Sequence, residues 1–132
     1  MPFVQIHTSR PVTPAIRGTL GFALAQAYGE HMQTDQRIVN VGFIHYADGD
    51  LVRYDAAGNE PQEMTIVACE IRAGRSPDML ESLGRAITAL CSHNLAIPEA
   101  RVAVYITEHA AFQIYRDGGP APDWSAAELP SS

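Results

Sequence analysis

Two stretches of this 132-residue chain open a helix in the same way. Thr13-Pro14 and Ser76-Pro77 each place a hydroxyl side chain at the cap and a proline just inside, where its missing N–H costs nothing. Pro14 and Pro77 lie 63 positions apart, and Arg37 and Arg101 lie 64 apart. A short run rich in Val and Ile precedes each start: residues 3–8 in the first half and 65–71 in the second. An apolar stripe at three- and four-residue spacing follows it. In the first half it is Ile16, Leu20, Ala23, Leu24 and Ala27; in the second, Leu80, Leu83, Ile87 and Leu90. Gly29 weakens the first helix, which is expected to fray before Asp35, and His93-Asn94 closes the second. Each half then ends on another strand-like run, residues 37–46 (RIVNVGFIHY) and 100–107 (ARVAVYIT). The first of these starts apolar on both parities, so burial on one face or both is expected.

Each half therefore reads as a β-α-β unit. A helix of this length as the crossover makes the paired strands parallel and the connection right-handed. Two units side by side predict an α/β (α+β) fold. It has one four-stranded, mostly parallel or mixed sheet with both helices on one face. By strand alternation the other face also carries Val, Ile and Phe, so it needs a cover. An oligomer with its sheets packed around an axis is expected. In the repeat frame Pro2 opens the first strand as Met64 or Thr65 opens the second, which puts the N-terminus near the centre of the sheet.

The chain is long enough for a single domain with a real core. Its expected parts are a first unit (2–46), a linker (47–63), a second unit (64–109) and a tail (110–132). Asp48-Gly49 and Gly58-Asn59 mark turns in the linker, and residues 51–54 suit a short hairpin strand between them. Residues 110–116 suit a helical turn or a short strand. The rest of the tail is rich in Gly, Pro and Ala and carries Trp124, which would serve as an anchor or as a lid.

The net charge of −6 argues against nucleic acid or an anionic membrane as the main partner, yet leaves room for a local cationic pocket. Cys69 and Cys91 each sit in an apolar run and read as two buried thiols. No Cys-x-x-Cys spacing occurs, and the five histidines share no metal-ligand spacing. Neither a metal nor a cofactor is expected. With no apolar leader and no run of transmembrane length, a cytoplasmic location is the default expectation.

Chemistry concentrates at Met1-Pro2. A small second residue favours trimming of the initiator methionine, which would leave a free prolyl secondary amine. Such an amine is a base, acid or nucleophile that needs no cofactor. An α-amino group titrates at about 7.7–8.0, and nearby cations push it lower, toward the neutral base. Arg72 and Arg75 bracket a tight turn ahead of the second helix. Guanidinium groups there would take a carboxylate, aided by the helix end. Tyr105 lies in an alternating strand, where its hydroxyl could stabilise a developing enolate oxygen. His7 is a weaker candidate for lining the same cleft.

Taken in order, Met1-Pro2, Thr13-Pro14, Val41-Gly42-Phe43, Arg72-Ala73-Gly74-Arg75-Ser76, Val104-Tyr105 followed by Glu108, and Asp123-Trp124 resemble the tautomerase superfamily. The chain looks closest to its cis-3-chloroacrylic acid dehalogenase group. The resemblance implies a homotrimer and a small carboxylate substrate. It implies a catalytic Pro2 and Tyr105, with Arg72 and Arg75 binding the substrate. It also marks two departures. A histidine near the end of the first helix is replaced by Tyr28, and a water-activating glutamate after the fourth strand falls on Arg116, with Asp117 beside it. Arg116 would add a third cation to the pocket or pair with Asp117 at the surface. The implied activity is keto–enol isomerisation of a 2-oxo acid or enol carboxylate. Two alternatives stand beside it: hydration or dehalogenation of a three-carbon unsaturated acid with Asp117 as base, and a catalytically silent anion-binding trimer.

Overall fold

The computed structural model describes residues 2–54, 57–58 and 60–128; the expectations at Met1, at Asn59 and over 129–132 lie outside the described residues. Strand β1 (Phe3–Thr8) leads through a short loop to helix α1 (Pro14–Met32) and strand β2 (Asn40–His45). A small hairpin, β3 (Val52–Arg53) and β4 (Gln62–Glu63), bridges to the second unit. That unit comprises β5 (Thr65–Arg72), α2 (Pro77–Leu95) and β6 (Val102–His109). A second small hairpin, β7 (Tyr115–Arg116) and β8 (Gly119–Pro120), begins the tail.

Both helix starts carry the expected caps. Thr13 Oγ1 accepts from the Ile16 amide at 3.2 Å, and Ser76 Oγ accepts from the Met79 amide at 3.3 Å. Helix α1 ends before Asp35 as expected, α2 runs one residue past His93-Asn94, and both stop on a left-handed residue, Gln33 (φ 48°) and Ala96 (φ 54°). Both closing strands start later than their apolar runs. Three-residue 3-10 turns, Gln36–Ile38 and Glu99–Arg101, take up their first residues. In the first half Asp35 starts the turn by accepting from the Arg37 amide at 2.9 Å, a local bond that competes with strand pairing.

The sheet order is β2-β1-β5-β6. Each unit's own strands pair parallel, and the two units meet antiparallel along β1 and β5. Strand β2 is therefore an edge, and its residues are half-buried or exposed, short of the full burial its apolar start suggested. The register joins Gln5 to Ala68, residues 63 apart, so a pseudo-two-fold axis passes through that pair.

The axis relates more than the main elements. Leu20, Leu24, Tyr28 and Met32 are buried on α1, and their equivalents Leu83, Ile87, Cys91 and Leu95 are buried on α2. Val52–Arg53 corresponds to Tyr115–Arg116, so the first strands of the two hairpins follow the 63-residue offset, while their second strands, Gln62–Glu63 and Gly119–Pro120, do not. Val4, Ile6, Val67, Cys69 and Ile71 alternate along the central strands at 0–1% exposure and pack against both helices. The two thiols are free and buried, and burial pushes each up to about 12.

The opposite sheet face carries Phe3, Gln5, His7, Ala68, Glu70 and Tyr105 and has no layer over it among the described residues. Phe3 is 39% exposed, Ile44 43% and Tyr105 61%, so this face keeps large apolar groups in water. No helix is long and apolar enough to cross a membrane among the described residues.

Candidate functional site

Pro2 is buried at the start of β1, one of the two central strands. Its carbonyl accepts from the Asn40 amide at 3.0 Å and from Asn40 Nδ2 at 3.3 Å, which pins it to the edge strand β2. Phe3 pairs with Glu70 on β5. Continued by one residue, that register sets Pro2 opposite Ile71, the neighbour of Arg72 in sequence.

Arg72 ends β5. The Ala73 amide still donates to the His109 carbonyl at 2.8 Å, and the chain then turns at Gly74, whose φ of 128° is open to glycine and strained for other residues. This turn folds Arg75 back under Arg72. Both side chains are buried, at 4% and 7% exposure, and both donate hydrogen bonds to the chain around them.

Arg75 is held by the protein frame. Its Nε donates to the Met32 carbonyl at 3.3 Å, its Nη1 to the Arg72 carbonyl at 3.1 Å, and its Nη2 to Thr34 Oγ1 at 2.6 Å. A cation at the carboxyl end of α1 also suits the helix field. Trp124 covers the guanidinium, with the ring centroid 4.6 Å from Cζ, and its Nε1 donates to the Gln33 carbonyl at 3.2 Å. Burial lowers the Arg75 pKa from its ordinary value; an arginine still keeps its charge at any relevant pH.

Arg72 is held by the tail. Its Nη1 donates to the Pro122 carbonyl at 2.6 Å and its Nη2 to Glu128 Oε2 at 2.5 Å. The other Glu128 oxygen, Oε1, is buried with no hydrogen-bond partner among the described residues. A carboxylate thus already sits on Arg72, and half of its hydrogen-bonding capacity is unused.

Tyr28, on the buried side of α1, feels the charges of Arg75, Arg72 and Glu128. Burial pushes its hydroxyl up to about 12 despite the two arginines, so it stays protonated, a neutral donor.

The structure brings together Arg72, Arg75 and Tyr28, sets Pro2 at the same end of the central strand pair, and leaves four candidates apart. Tyr105 pairs with Ala68 and lies four residues along β6 from His109, the partner of Arg72; at about 3.3 Å per residue that is about 13 Å away. Arg116 lies on hairpin strand β7, and Asp117 is exposed at its tip with φ 52°. The expected surface ion pair between Arg116 and Asp117 does not form among the described residues; the left-handed turn at Asp117-Gly118 sets Asp117 as a loop residue. His7 shares hydrogen bonds with Tyr46 (2.8 Å) and Gln5 (3.1 Å) on the bare sheet face, toward the other end of β1.

Sequence reasoning missed Thr34 and Glu128. Thr34 would have been findable as the residue just past the helix cap. Glu128 meets Arg72 across a separation of 56 residues, and no periodicity announces it. Among the described residues no three His, Cys, Asp or Glu side chains stand close enough to share a metal ion.

No family model and no curated protein matches the sequence. Solved structures do match in fold. A wild-type fused 4-OT symmetric trimer superposes with a TM-score of 0.79 at 21% identity, covering 90% of this chain and 94% of that one. A member of the cis-3-chloroacrylic acid dehalogenase (cis-CaaD) family superposes with a TM-score of 0.79 at 20% identity, covering 92% and 84%. Macrophage migration inhibitory factor of Toxoplasma gondii gives a TM-score of 0.70 at 15% identity, covering 87% and 96%. The chain therefore has the tautomerase and migration-inhibitory-factor fold, and the resemblance read from its motifs stands at the level of architecture.

Proposed function

We propose that this chain is a cofactor-free tautomerase that moves a proton with Pro2 on a small 2-oxo acid or enol carboxylate. The observation that supports the reading is that Pro2 and Arg72 lie at the same end of the central strand pair. The substrate carboxylate takes the place of Glu128 on the Nη2 of Arg72. Arg75, tied to three frame acceptors, holds the turn and adds its positive field. The neutral prolyl amine takes the enol O–H proton and returns it to the carbon, so an O–H bond breaks and a C–H bond forms. This requires loss of Met1, since an acylated prolyl nitrogen is a tertiary amide with no usable basicity.

Tyr105 acts in this reading from a neighbouring copy. It stands about 13 Å along the sheet from the Arg72 row, on a face that a second protomer would cover. A homotrimer fits that need, and one of the solved structures similar in fold is a symmetric trimer.

The test is enol-pyruvate ketonisation by Pro2→Ala, beside an intact-mass measurement on the wild-type chain. Loss of turnover with an unchanged melting curve supports the reading. A wild-type rate, with Met1 absent from the wild-type protein, ends it.

A second reading is supported by the tail. Hydration or dehalogenation of a three-carbon unsaturated acid needs a carboxylate base, and Glu128, in place of the exposed Asp117, brings one to the arginines. Halide release from a 3-haloacrylate separates it from isomerisation. Melting shifts with carboxylates but no turnover of any enol or haloacrylate would instead favour a silent anion-binding trimer.

A further inference from the structure

The pseudo-two-fold axis gives the site at Pro2 an equivalent at the opposite end of the strand pair. There the place of Pro2 is taken by Thr65, that of Thr34 by Ile97, and that of Arg72 by Ser9. A cavity of about 220 Å³ opens at this second end. Arg10, Arg101 and Glu63 line it together with Met64, Ile97 and Pro98.

The arginine geometry is repeated. Arg10 Nε donates to the Leu95 carbonyl at 3.3 Å, as Arg75 Nε donates to the equivalent Met32 carbonyl at 3.3 Å. The occupancy differs. At the first end the tail occupies both Nη atoms of Arg72 and Trp124 covers Arg75. At the second end the Nη atoms of Arg10 make no hydrogen bond among the described residues, and Arg101 makes one long bond, to the Glu63 carbonyl oxygen at 3.4 Å. Neither arginine pairs with a carboxylate there. The Glu63 side chain is drawn aside by Ser9 Oγ at 2.5 Å.

Two guanidinium groups against one carboxylate leave a net single positive charge, which suits a monoanion better than a phosphate dianion. Met64, at 3% exposure, and the side chains of Ile97 and Pro98 supply an apolar wall. Thr65 carries no amine, and its hydroxyl shares a hydrogen bond of 2.8 Å with Thr8, so this end lacks the base of the first.

We propose that this cavity is a second, non-catalytic site that binds a small monocarboxylate with a short apolar chain. Arg10 and Arg101 hold the carboxylate, and Met64, Ile97 and Pro98 receive the chain. The site does not rest on the reading of Pro2.

Butyrate is the probe, titrated into the full-length ¹⁵N-labelled chain. The amides of Met64, Ala96 and Ile97 should shift and saturate. Arg101→Ala should weaken binding about ten-fold, the scale of one charge-assisted hydrogen bond. Glu63→Gln should tighten it. Pro2→Ala should change neither, and Arg101→Ala should leave ketonisation at its wild-type rate. Arg10→Ala removes a tie to the end of α2 and risks the fold, so Arg10→Gln with a melting control serves as the companion variant. Shifts that never saturate would overturn the proposal. So would equal shifts with 1-butanol, or undiminished affinity in the Arg10→Gln, Arg101→Ala double variant.

Discussion

At the Pro2 end of the central strands, an arginine ties down the last carbonyl of α1; at the Thr65 end, an arginine ties down the last carbonyl of α2. The two ties share their length and their acceptor position, although Arg75 and Arg10 come from different places in their loops. A feature present at both ends of a duplicated fold is explained by the fold. Arg75 is therefore first a structural residue, closing the carboxyl end of α1 through three bonds. What differs between the ends is Pro2 against Thr65, Arg72 against Ser9, and a tail that reaches the first cation with a carboxylate. Those differences mark the chemistry.

The largest effect should come from the first of these differences. Pro2→Ala replaces the secondary amine with a primary one and removes the ring that fixes its position, and should lower ketonisation by about 10²-fold, the lower end of a general acid–base contribution. The complementary Thr65→Ala disturbs the second end and should leave turnover within a few-fold of wild type. Comparable losses from both would mean that the ends are not chemically distinct.

The structural reading of Arg75 predicts a stability loss. Arg75→Ala takes a donor from the Arg72 carbonyl and from Thr34 Oγ1 in a buried place, and leaves the Met32 carbonyl with the 3.3 Å bond from Thr34 Oγ1. A cost of about 3 kcal/mol is expected. For a domain of this size that lowers Tm by roughly 10 °C. Thermal unfolding followed by circular dichroism would show it, and a shift below about 3 °C would return Arg75 to the role of an exchangeable anion ligand.

Much of this frame is legible in the chain itself, because local chemistry writes it. Thr13-Pro14 and Ser76-Pro77 announce the helix starts, and the 63-residue offset announces the duplication. The strand starts are less legible. Arg37-Ile38 and Ala100-Arg101 begin apolar runs but are claimed by 3-10 turns, and nothing in a hydrophobic pattern separates the two outcomes. For the site, Pro2, Arg72 and Arg75 stand out by position, while their partners do not. Glu128 is a carboxylate in a Pro- and Ala-rich tail, and its meeting with Arg72 depends on where the second hairpin aims the chain. Tyr105 is a further limit of a different kind, since its sheet face has no layer over it among the described residues.

The tail contact predicts a gain of binding. Glu128→Gln weakens the native occupant of Arg72, whose Oε1 is already unpaired. KM for a carboxylate substrate should fall about five- to ten-fold, the size of a partly exposed charge-assisted bond, with kcat little changed. Glu63→Gln, at the other end, should leave KM alone. A raised KM, or a collapsed kcat, would instead make Glu128 part of the catalytic apparatus and favour the hydratase reading.

The smallest effect compares the equivalent core positions Tyr28 and Cys91. Burial pushes the Tyr28 hydroxyl from 10.0 to about 12 and the Cys91 thiol from 9.0 to about 12. Both groups hold their protons more tightly when folded than when unfolded. Stability should therefore be intact below about pH 9 and decline as the pH rises toward 12, since the unfolded chain sheds these protons first. Each group adds a slope of at most about 1.4 kcal/mol per pH unit. Cys91→Ala should remove the part of the decline that begins near pH 9, leaving the contribution of Cys69, which burial also raises to about 12. Tyr28→Phe should remove the part that begins near pH 10. Urea midpoints at pH 8, 9.5 and 10.5 separate the two. If Tyr28→Phe left the alkaline slope unchanged, its hydroxyl would be ionising in the folded state near its ordinary value. The field of Arg75 and Arg72 would then outweigh burial, and the first end would hold a stronger positive potential than the second.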